Sequence, residues 1–127
     1  MKFKLVIAAI LCFSFAFNSN AQLANTQWKG SINIPDAHAV LWQFDKDTVR
    51  VFFPDKTEET EVMVYKDDAA GKKASFTKLS GTSPCANGFT GMYSYDIAQD
   101  KLSLKPLQDT CTGRMSAIQG VSFTRVK

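Results

Sequence analysis

The residues TGMYSYDIAQDKLSLKPL, positions 90–107, contain two short runs of alternating apolar and polar side chains, separated by Ala98-Gln99-Asp100. Alternation with a period of two is typical of a strand with one buried face, and a short polar connection between two such runs predicts a β-hairpin. Residues 90–97 and 101–107 are therefore predicted to be neighbouring antiparallel strands.

Runs of the same kind occur on both sides of this hairpin. They are residues 27–34, 38–44, 48–53, 60–66, 74–80 and 122–126. Only residues 109–118 lack alternation, and one short helical turn is predicted there. Eight strands at spacings of about 8–14 residues predict an all-β fold, an eight-stranded antiparallel up-and-down barrel, with a β-sandwich as the alternative.

The first 21 residues have the three-part layout of a cleavable secretory signal. Lys2 and Lys4 supply a basic start, residues 5–17 are apolar, and residues 18–21 are small or polar. The apolar run is too short to cross ~30 Å of hydrocarbon as a helix, so we expect no membrane span. The prediction is a signal peptide at residues 1–21 and one mature domain at residues 22–127, secreted or periplasmic.

The charge balance excludes some classes of partner. The chain has 15 basic and 12 acidic residues, with a formal net charge of +3, and two of the lysines lie in the predicted signal. A nearly neutral mature chain argues against binding nucleic acid or an anionic membrane surface through bulk charge. We expect neither partner.

The cysteines predict a disulfide. Cys12 lies in the predicted signal, which leaves Cys85 and Cys111 in a chain sent to an oxidising compartment. The alternatives are a redox pair, which is usually spaced Cys-x-x-Cys, and a structural zinc site, which needs more Cys or His ligands than this chain has.

Two stretches carry a resemblance to a known superfamily. Residues 23–30, LANTQWKG, with Phe123-Thr124-Arg125 near the C-terminus, resemble the lipocalins of the calycin superfamily. Residues 84–95 and 107–114 look like small bacterial exported lipocalin-like proteins of uncharacterised function. The resemblance implies an eight-stranded barrel in which Arg125 packs across the face of Trp28, a structural pair that favours a cation–π contact. Thr26 stands where lipocalins have a glycine.

No residue pattern points to catalysis. His38 is the only histidine, and the carboxylates fall mostly in predicted turns or on outer faces, where an ordinary pKa is expected. No Gly-x-Ser-x-Gly, phosphate-binding loop or dinucleotide fingerprint occurs in the sequence. We therefore predict a protein that is not an enzyme, with no catalytic residue, no metal site and no cofactor.

The aromatic residues suggest a binding role instead. Trp42, Phe53, Tyr93 and Tyr95 are predicted to point into the barrel, where they either fill the core or bind a small apolar or amphipathic ligand non-covalently. Arg114, five residues after Asp109, forms either a structural ion pair with it or an anchor for a ligand carboxylate.

The alternative function is that of a periplasmic protein-binding module, such as a lysozyme-inhibitor-like barrel. In that interpretation the disulfide holds residues 81–87 and 109–113 rigid, which reduces the entropy lost on association. We expect the protein to be a monomer.

Overall fold

The computed structural model describes residues 22–33, 36–54 and 59–127, which contain eight strands and one short helix. The strands are β1 Gln27–Asn33, β2 Ala37–Phe44, β3 Thr48–Phe52, β4 Glu59–Asp68, β5 Lys73–Gly81, β6 Thr90–Ala98, β7 Lys101–Asp109 and β8 Ser122–Val126. The helix, α1, is Thr112–Ile118. The predicted signal, residues 1–21, lies outside the described residues.

One antiparallel sheet closes on itself. Each strand pairs with the next along the chain, and β8 pairs back with β1. The prediction of an eight-stranded up-and-down barrel is confirmed, and the sandwich alternative is wrong because the sheet is continuous. The predicted helical turn is α1, which connects β7 to β8. No helix within the described ranges is long and apolar enough to cross a bilayer.

Large aromatic side chains fill the middle of the barrel. The ring centroid of Trp42 lies 6.1, 5.7 and 5.2 Å from those of Phe44, Phe76 and Phe123. Each such side chain buries roughly 150–250 Å², so these contacts contribute much of the favourable free energy of folding. Gly30 is required beside them, because a Cβ at this position would come within 2.5 Å of Cδ1 of Phe123.

The barrel is filled at the end where the odd-numbered strands begin, which we call the closed end. Leu23, just before β1, is fully buried there. The hydroxyl of Thr26 donates a hydrogen bond to the Leu23 carbonyl and accepts one from the indole N–H of Trp28 at 2.8 Å. The guanidinium of Arg125 lies over the Trp28 ring, 4.7 Å from its centroid. Thr26 thus satisfies the polar atom of Trp28.

Two tyrosines are also paired at the closed end. The hydroxyl of Tyr95 donates to Asp67 at 2.5 Å, and the same carboxylate accepts the backbone N–H of Leu23 at 3.1 Å. The hydroxyl of Tyr65 donates to the Asp45 carbonyl at 2.5 Å. Burial, followed by the negative charge of Asp67, raises the pKa of Tyr65 to about 12. Burial and the hydrogen bond to Asp67 also raise the pKa of Tyr95.

Candidate functional site

A cavity of about 260 Å³ lies at the opposite end, where the odd-numbered strands end, and we call this the cavity end. Its wall is made by strands β1 to β4, by the β5–β6 loop (residues 82–89) and by α1. Most of the lining is apolar. The lining residues important for its chemistry are Ile32, Trp42, Glu61, Met63, Arg114 and Ile118. Thr82, Pro84 and Gly113 also line the cavity and are exposed, so the cavity opens to solvent beside them.

The β5–β6 loop is held in place by a buried lysine. Lys78 is only 3% exposed, and its Nζ donates to the carbonyl oxygens of Ser83 at 2.8 Å and Cys85 at 2.7 Å. Its Nζ also lies 3.7 Å from the Glu61 carboxylate, which accepts a hydrogen bond from the Ser83 hydroxyl. An ammonium group is costly to bury unless it is paired. These contacts satisfy the charge of Lys78 and at the same time fix the loop that forms one wall.

A disulfide ties the same loop to the helix. Cys85 and Cys111 are paired across 26 positions of sequence, with their Cα atoms 5.5 Å apart, so the predicted pairing is confirmed. Cys111 is the N-cap of α1, and its Sγ accepts the backbone N–H of Arg114 at 3.3 Å. Because Cys85 also lines the cavity, the cross-link connects two of the three parts of the wall.

Arg114 forms a buried two-point ion pair with Asp109. Nε and Nη2 of Arg114 donate to the two carboxylate oxygens of Asp109, each at 2.7 Å. Nη2 also donates to the carbonyl oxygen of Phe89 at 3.2 Å, and Nη1 lies 3.8 Å from Sδ of Met63. The two charged side chains are 3% and 0% exposed. Planar, two-point pairing of this kind is the strong form of a charged hydrogen bond, and it occupies Nε and Nη2 of the guanidinium.

The surroundings keep both members of this pair charged. Burial opposes the Asp109 carboxylate, but hydrogen bonds from Arg114, Tyr93 and the Cys111 backbone outweigh it and hold the pKa of Asp109 below its usual range. Burial likewise opposes the guanidinium charge, but Asp109 outweighs it and raises the pKa of Arg114. Burial and the hydrogen bond to Asp109 raise the pKa of Tyr93. The tyrosine hydroxyl therefore remains a donor to Asp109.

The position of the Asp109 carboxylate depends on a glycine in the next strand. Gly91 in β6 pairs with Asp109 in β7. A Cβ on Gly91 would lie 2.3 Å from Oδ2 of Asp109, well inside any permitted contact. The carboxylate therefore fills the space in which a side chain at position 91 would lie.

Trp42 has an unpaired polar atom. It is 2% exposed and lines the cavity, and its indole N–H has no hydrogen-bond partner among the described residues. A buried donor without an acceptor costs about 1–3 kcal/mol. An oxygen of a bound molecule would remove this cost.

The structure brings three of the five predicted ligand-binding residues to this cavity. Trp42, Phe53 and Arg114 line it. Tyr93 and Tyr95 are buried but do not line it, so their role in ligand binding stays a prediction. Their hydroxyls are hydrogen-bonded elsewhere. That of Tyr93 donates to Asp109, and that of Tyr95 donates to Asp67 at the closed end.

Lys78 and Glu61 were not predicted as part of the site, although the sequence contains a signal for both. Period-two alternation from Ala74 and Phe76 places Lys78 on the inner face of β5. The same reasoning from Met63 and Tyr65 places Glu61 on the inner face of β4. A charged residue at an inward position of a strand points to a buried pair or a polar cavity wall.

The arrangement suits non-covalent binding. His38 is exposed and lies near Phe53, with ring centroids 6.1 Å apart. Across residues 22–33, 36–54 and 59–127, no group of three or more His, Cys, Asp or Glu side chains could hold a metal ion.

No family model, curated protein or solved structure matches the chain.

Proposed function

We propose that this protein is an exported, monomeric, lipocalin-like barrel that binds a small apolar or amphipathic molecule non-covalently at the cavity end. The proposal depends on one observation, the mostly apolar space of about 260 Å³ in a barrel whose other end is filled. An apolar cavity of about 150 Å³ is large enough to bind benzene. No catalytic step is assigned to the site.

The construction of the wall supports this role. The disulfide, the Lys78 ammonium and the Ser83–Glu61 hydrogen bond all fix the β5–β6 loop before any ligand arrives. A wall that is already ordered loses less entropy on binding, which improves affinity without adding contacts.

Sequence features support export and the relation to lipocalins. The disulfide and the signal-like residues 1–21 favour an oxidising compartment. The Arg125 guanidinium over the Trp28 ring is the arrangement that the lipocalin resemblance implies. The mass of the exported protein tests the first point, because cleavage after Ala21 and loss of two hydrogens have defined masses.

Native mass spectrometry of the protein recovered from the exported fraction tests binding. We expect an added mass that disappears when the same sample is denatured. The variant Ala117→Phe fills the cavity, because Ala117 lines it, and should carry no added mass. Ala39→Phe, on an exposed position of β2, is the matched control and should behave like the wild type.

A second measurement covers a ligand lost during purification. Toluene added to the purified protein should shift the methyl resonances of Ile118, which lines the cavity, in the wild type and in Ala39→Phe. A bare native mass together with unmoved Ile118 methyl resonances would contradict the proposed function.

Protein binding is the second candidate, favoured by a group of exposed apolar side chains on and beside strands β5 to β7. These are Leu79, Phe89, Met92 and Leu107, which are 42–49% exposed. The register shifts beside Leu79 and Leu107, so each is the extra residue of a bulge. Protein binding ranks second as a function because exposed apolar patches of a few hundred Å² are ordinary on monomers.

A paired capture experiment tests this second function. The wild type and a Leu79→Ser/Leu107→Ser variant would each be immobilised and exposed to periplasmic extract. A partner retained by the wild type and lost by the variant would support a protein-binding role. Identical retention by the two proteins would count against it.

A further inference from the structure

The charged groups around the cavity neutralise one another. Arg114 is paired at two points with Asp109, and Lys78 lies beside Glu61. Two cations therefore face two carboxylates, and each cation is already bound to oxygen atoms of the protein. The wall has no uncommitted positive charge among the described residues.

An anionic ligand would meet unfavourable surroundings here. Its carboxylate would leave water for a mostly apolar space and would approach the Glu61 carboxylate, which lines that space. A charge moved into an apolar site without a partner costs far more than burial of the attached carbon atoms returns. A cationic ligand would meet Arg114 and would compete with Lys78 and Ser83 for Glu61.

An uncharged hydrogen-bond acceptor, by contrast, would pair with the Trp42 indole N–H. The indole N–H of Trp42 has no partner in the part of the chain that the structure describes, whereas the indole N–H of Trp28 donates to Thr26. A carbonyl or ether oxygen in the cavity would accept the hydrogen bond that Trp42 lacks. Scaling from benzene in about 150 Å³, the volume suits a molecule of about ten non-hydrogen atoms.

We propose that the ligand is an uncharged, mainly apolar molecule of about ten non-hydrogen atoms that offers one oxygen acceptor to the Trp42 indole N–H. This inference rests on the proposed binding function and specifies its ligand class. It replaces the prediction that Arg114 anchors a ligand carboxylate, because Asp109 already neutralises that guanidinium through two hydrogen bonds.

Four probes of the same size separate the effect of ligand charge from the effect of a hydrogen-bond acceptor. Acetophenone is neutral with a carbonyl acceptor, isopropylbenzene is neutral without an acceptor, benzoate is an anion and benzamidinium is a cation. Each would be titrated into the purified oxidised protein and followed by the indole N–H resonances of the two tryptophans and the methyl resonances of Ile118. The Trp28 resonance is an internal control, because its hydrogen bond is already made.

We expect acetophenone to bind about tenfold or more tightly than benzoate or benzamidinium, a difference within the cost of burying one charge. Acetophenone should shift the Trp42 indole proton downfield, while isopropylbenzene shifts the Ile118 methyl resonances without that effect. Benzoate binding as tightly as acetophenone would overturn the neutral-ligand inference and leave the binding function standing. Acetophenone binding without a Trp42 shift would overturn the role of the indole donor. Failure of all four probes to move Ile118 would overturn the binding function itself.

A charge-release variant tests the role of Asp109. Asp109→Asn removes the charge that neutralises Arg114, so benzoate affinity should rise about tenfold or more, comparable to one charged hydrogen bond. The control is Asp100→Asn, which removes a carboxylate paired with Arg125 and Lys127 at the closed end and should leave benzoate affinity unchanged. An unchanged benzoate affinity in a folded Asp109→Asn protein would overturn the inference. If this variant does not fold, the four-probe comparison with the wild type decides.

Discussion

Trp28 and Trp42 are register partners on β1 and β2, but their surroundings differ in kind. The Trp28 ring is covered by Arg125, and its N–H is bound by Thr26. Trp42 contacts aromatic rings and lines the cavity, and its indole N–H has no partner within residues 22–33, 36–54 and 59–127. At the closed end, the Trp28 ring is covered and its indole N–H is hydrogen-bonded. At the cavity end, the structure retains space and an unused donor.

This difference shows that one small barrel can be filled at one end and retain open space at the other. At the closed end, Leu23 and Trp28 fill the barrel, and Arg125 covers the Trp28 ring. The cavity end uses an ion pair, a buried lysine and a disulfide to hold a wall around space that is not filled. Each of these interactions can be removed by a separate substitution, so the comparison can be tested at both ends.

The largest effect is expected from Arg114→Met. It leaves the buried Asp109 carboxylate without its cation, and breaking a buried pair in this way costs about 3–5 kcal/mol. Urea denaturation should show this loss in the free energy of unfolding. The double variant Asp109→Asn/Arg114→Met should recover most of it, because neither charge is then buried. A double variant as unstable as the sum of both single changes would refute this account.

The same pair predicts a pH dependence. The pKa of Asp109 is lower in the folded protein than its ordinary value of about 3.9. Its contribution to stability is therefore complete above that ordinary value and is lost as the pH falls through the lowered folded pKa. Arg114→Met should lose less stability relative to wild type in acid than at neutral pH, when both are measured by urea denaturation.

Removal of the disulfide should have the next largest effect. Cys85→Ala/Cys111→Ala opens a loop of 26 residues, which costs about 3–4 kcal/mol in the chain-entropy model. Because the cross-link joins the β5–β6 loop to α1, isopropylbenzene binding should weaken as well. The Trp28 indole resonance should not move, because it reports on the closed end. Unchanged probe binding in this variant would show that the disulfide does not shape the cavity.

The three tyrosines of the chain predict behaviour at high pH that is shared by both ends. All three have a raised pKa because of burial, with that of Tyr65 at about 12. Unfolded tyrosines ionise near pH 10, so the stabilisation is complete below that pH and is lost as the pH rises through the folded values. For Tyr65 the difference between 10 and about 12 corresponds to roughly 2–3 kcal/mol.

Tyrosinate absorbance followed beside near-ultraviolet circular dichroism measures this effect. Ionisation should begin only as the native signal is lost. Ionisation of a tyrosine near pH 10 with the native signal intact would contradict burial of that hydroxyl.

The smallest effect is expected from Arg125→Ala at the closed end. Loss of the guanidinium over Trp28 should lower the free energy of unfolding by about 1 kcal/mol and change the Trp28 fluorescence. Arg50→Ala is the control, since Arg50 and Asp45 form a half-exposed pair 3.6 Å apart whose loss should cost only tenths of a kcal/mol. Probe binding should be unchanged in both. Equal stability of the two variants would argue against the cation–π contact.

Alternation along the chain was sufficient to predict every strand, because the inner face of a closed barrel is buried and its outer face meets water. The hairpin across Gln99 and Asp100 also followed from pattern, and both residues have the positive φ of a tight two-residue turn, 53° and 61°. Strand ends were less predictable. β4 and β7 each extend two residues beyond their predicted ends, to Asp68 and Asp109. Their last residues are held by pairing with neighbouring strands, which a one-dimensional pattern does not report.

The site was predicted less completely than the fold. Trp42 and Arg114 followed from residue type, but the partners that determine their chemistry depend on register between strands. Asp109 reaches Arg114 because α1 begins shortly after β7 ends, and Tyr93 points to Asp109 beside a register shift between β6 and β7. Such shifts change which side chains meet without changing the alternation that identifies a strand.

Gly91 has a consequence for how this protein can vary among its relatives. The Asp109 carboxylate occupies the space of a side chain at position 91, and that carboxylate holds Arg114. Substitution at any one of these three positions therefore changes which residues the other two positions can accommodate. We expect homologues to retain the three together or replace them together.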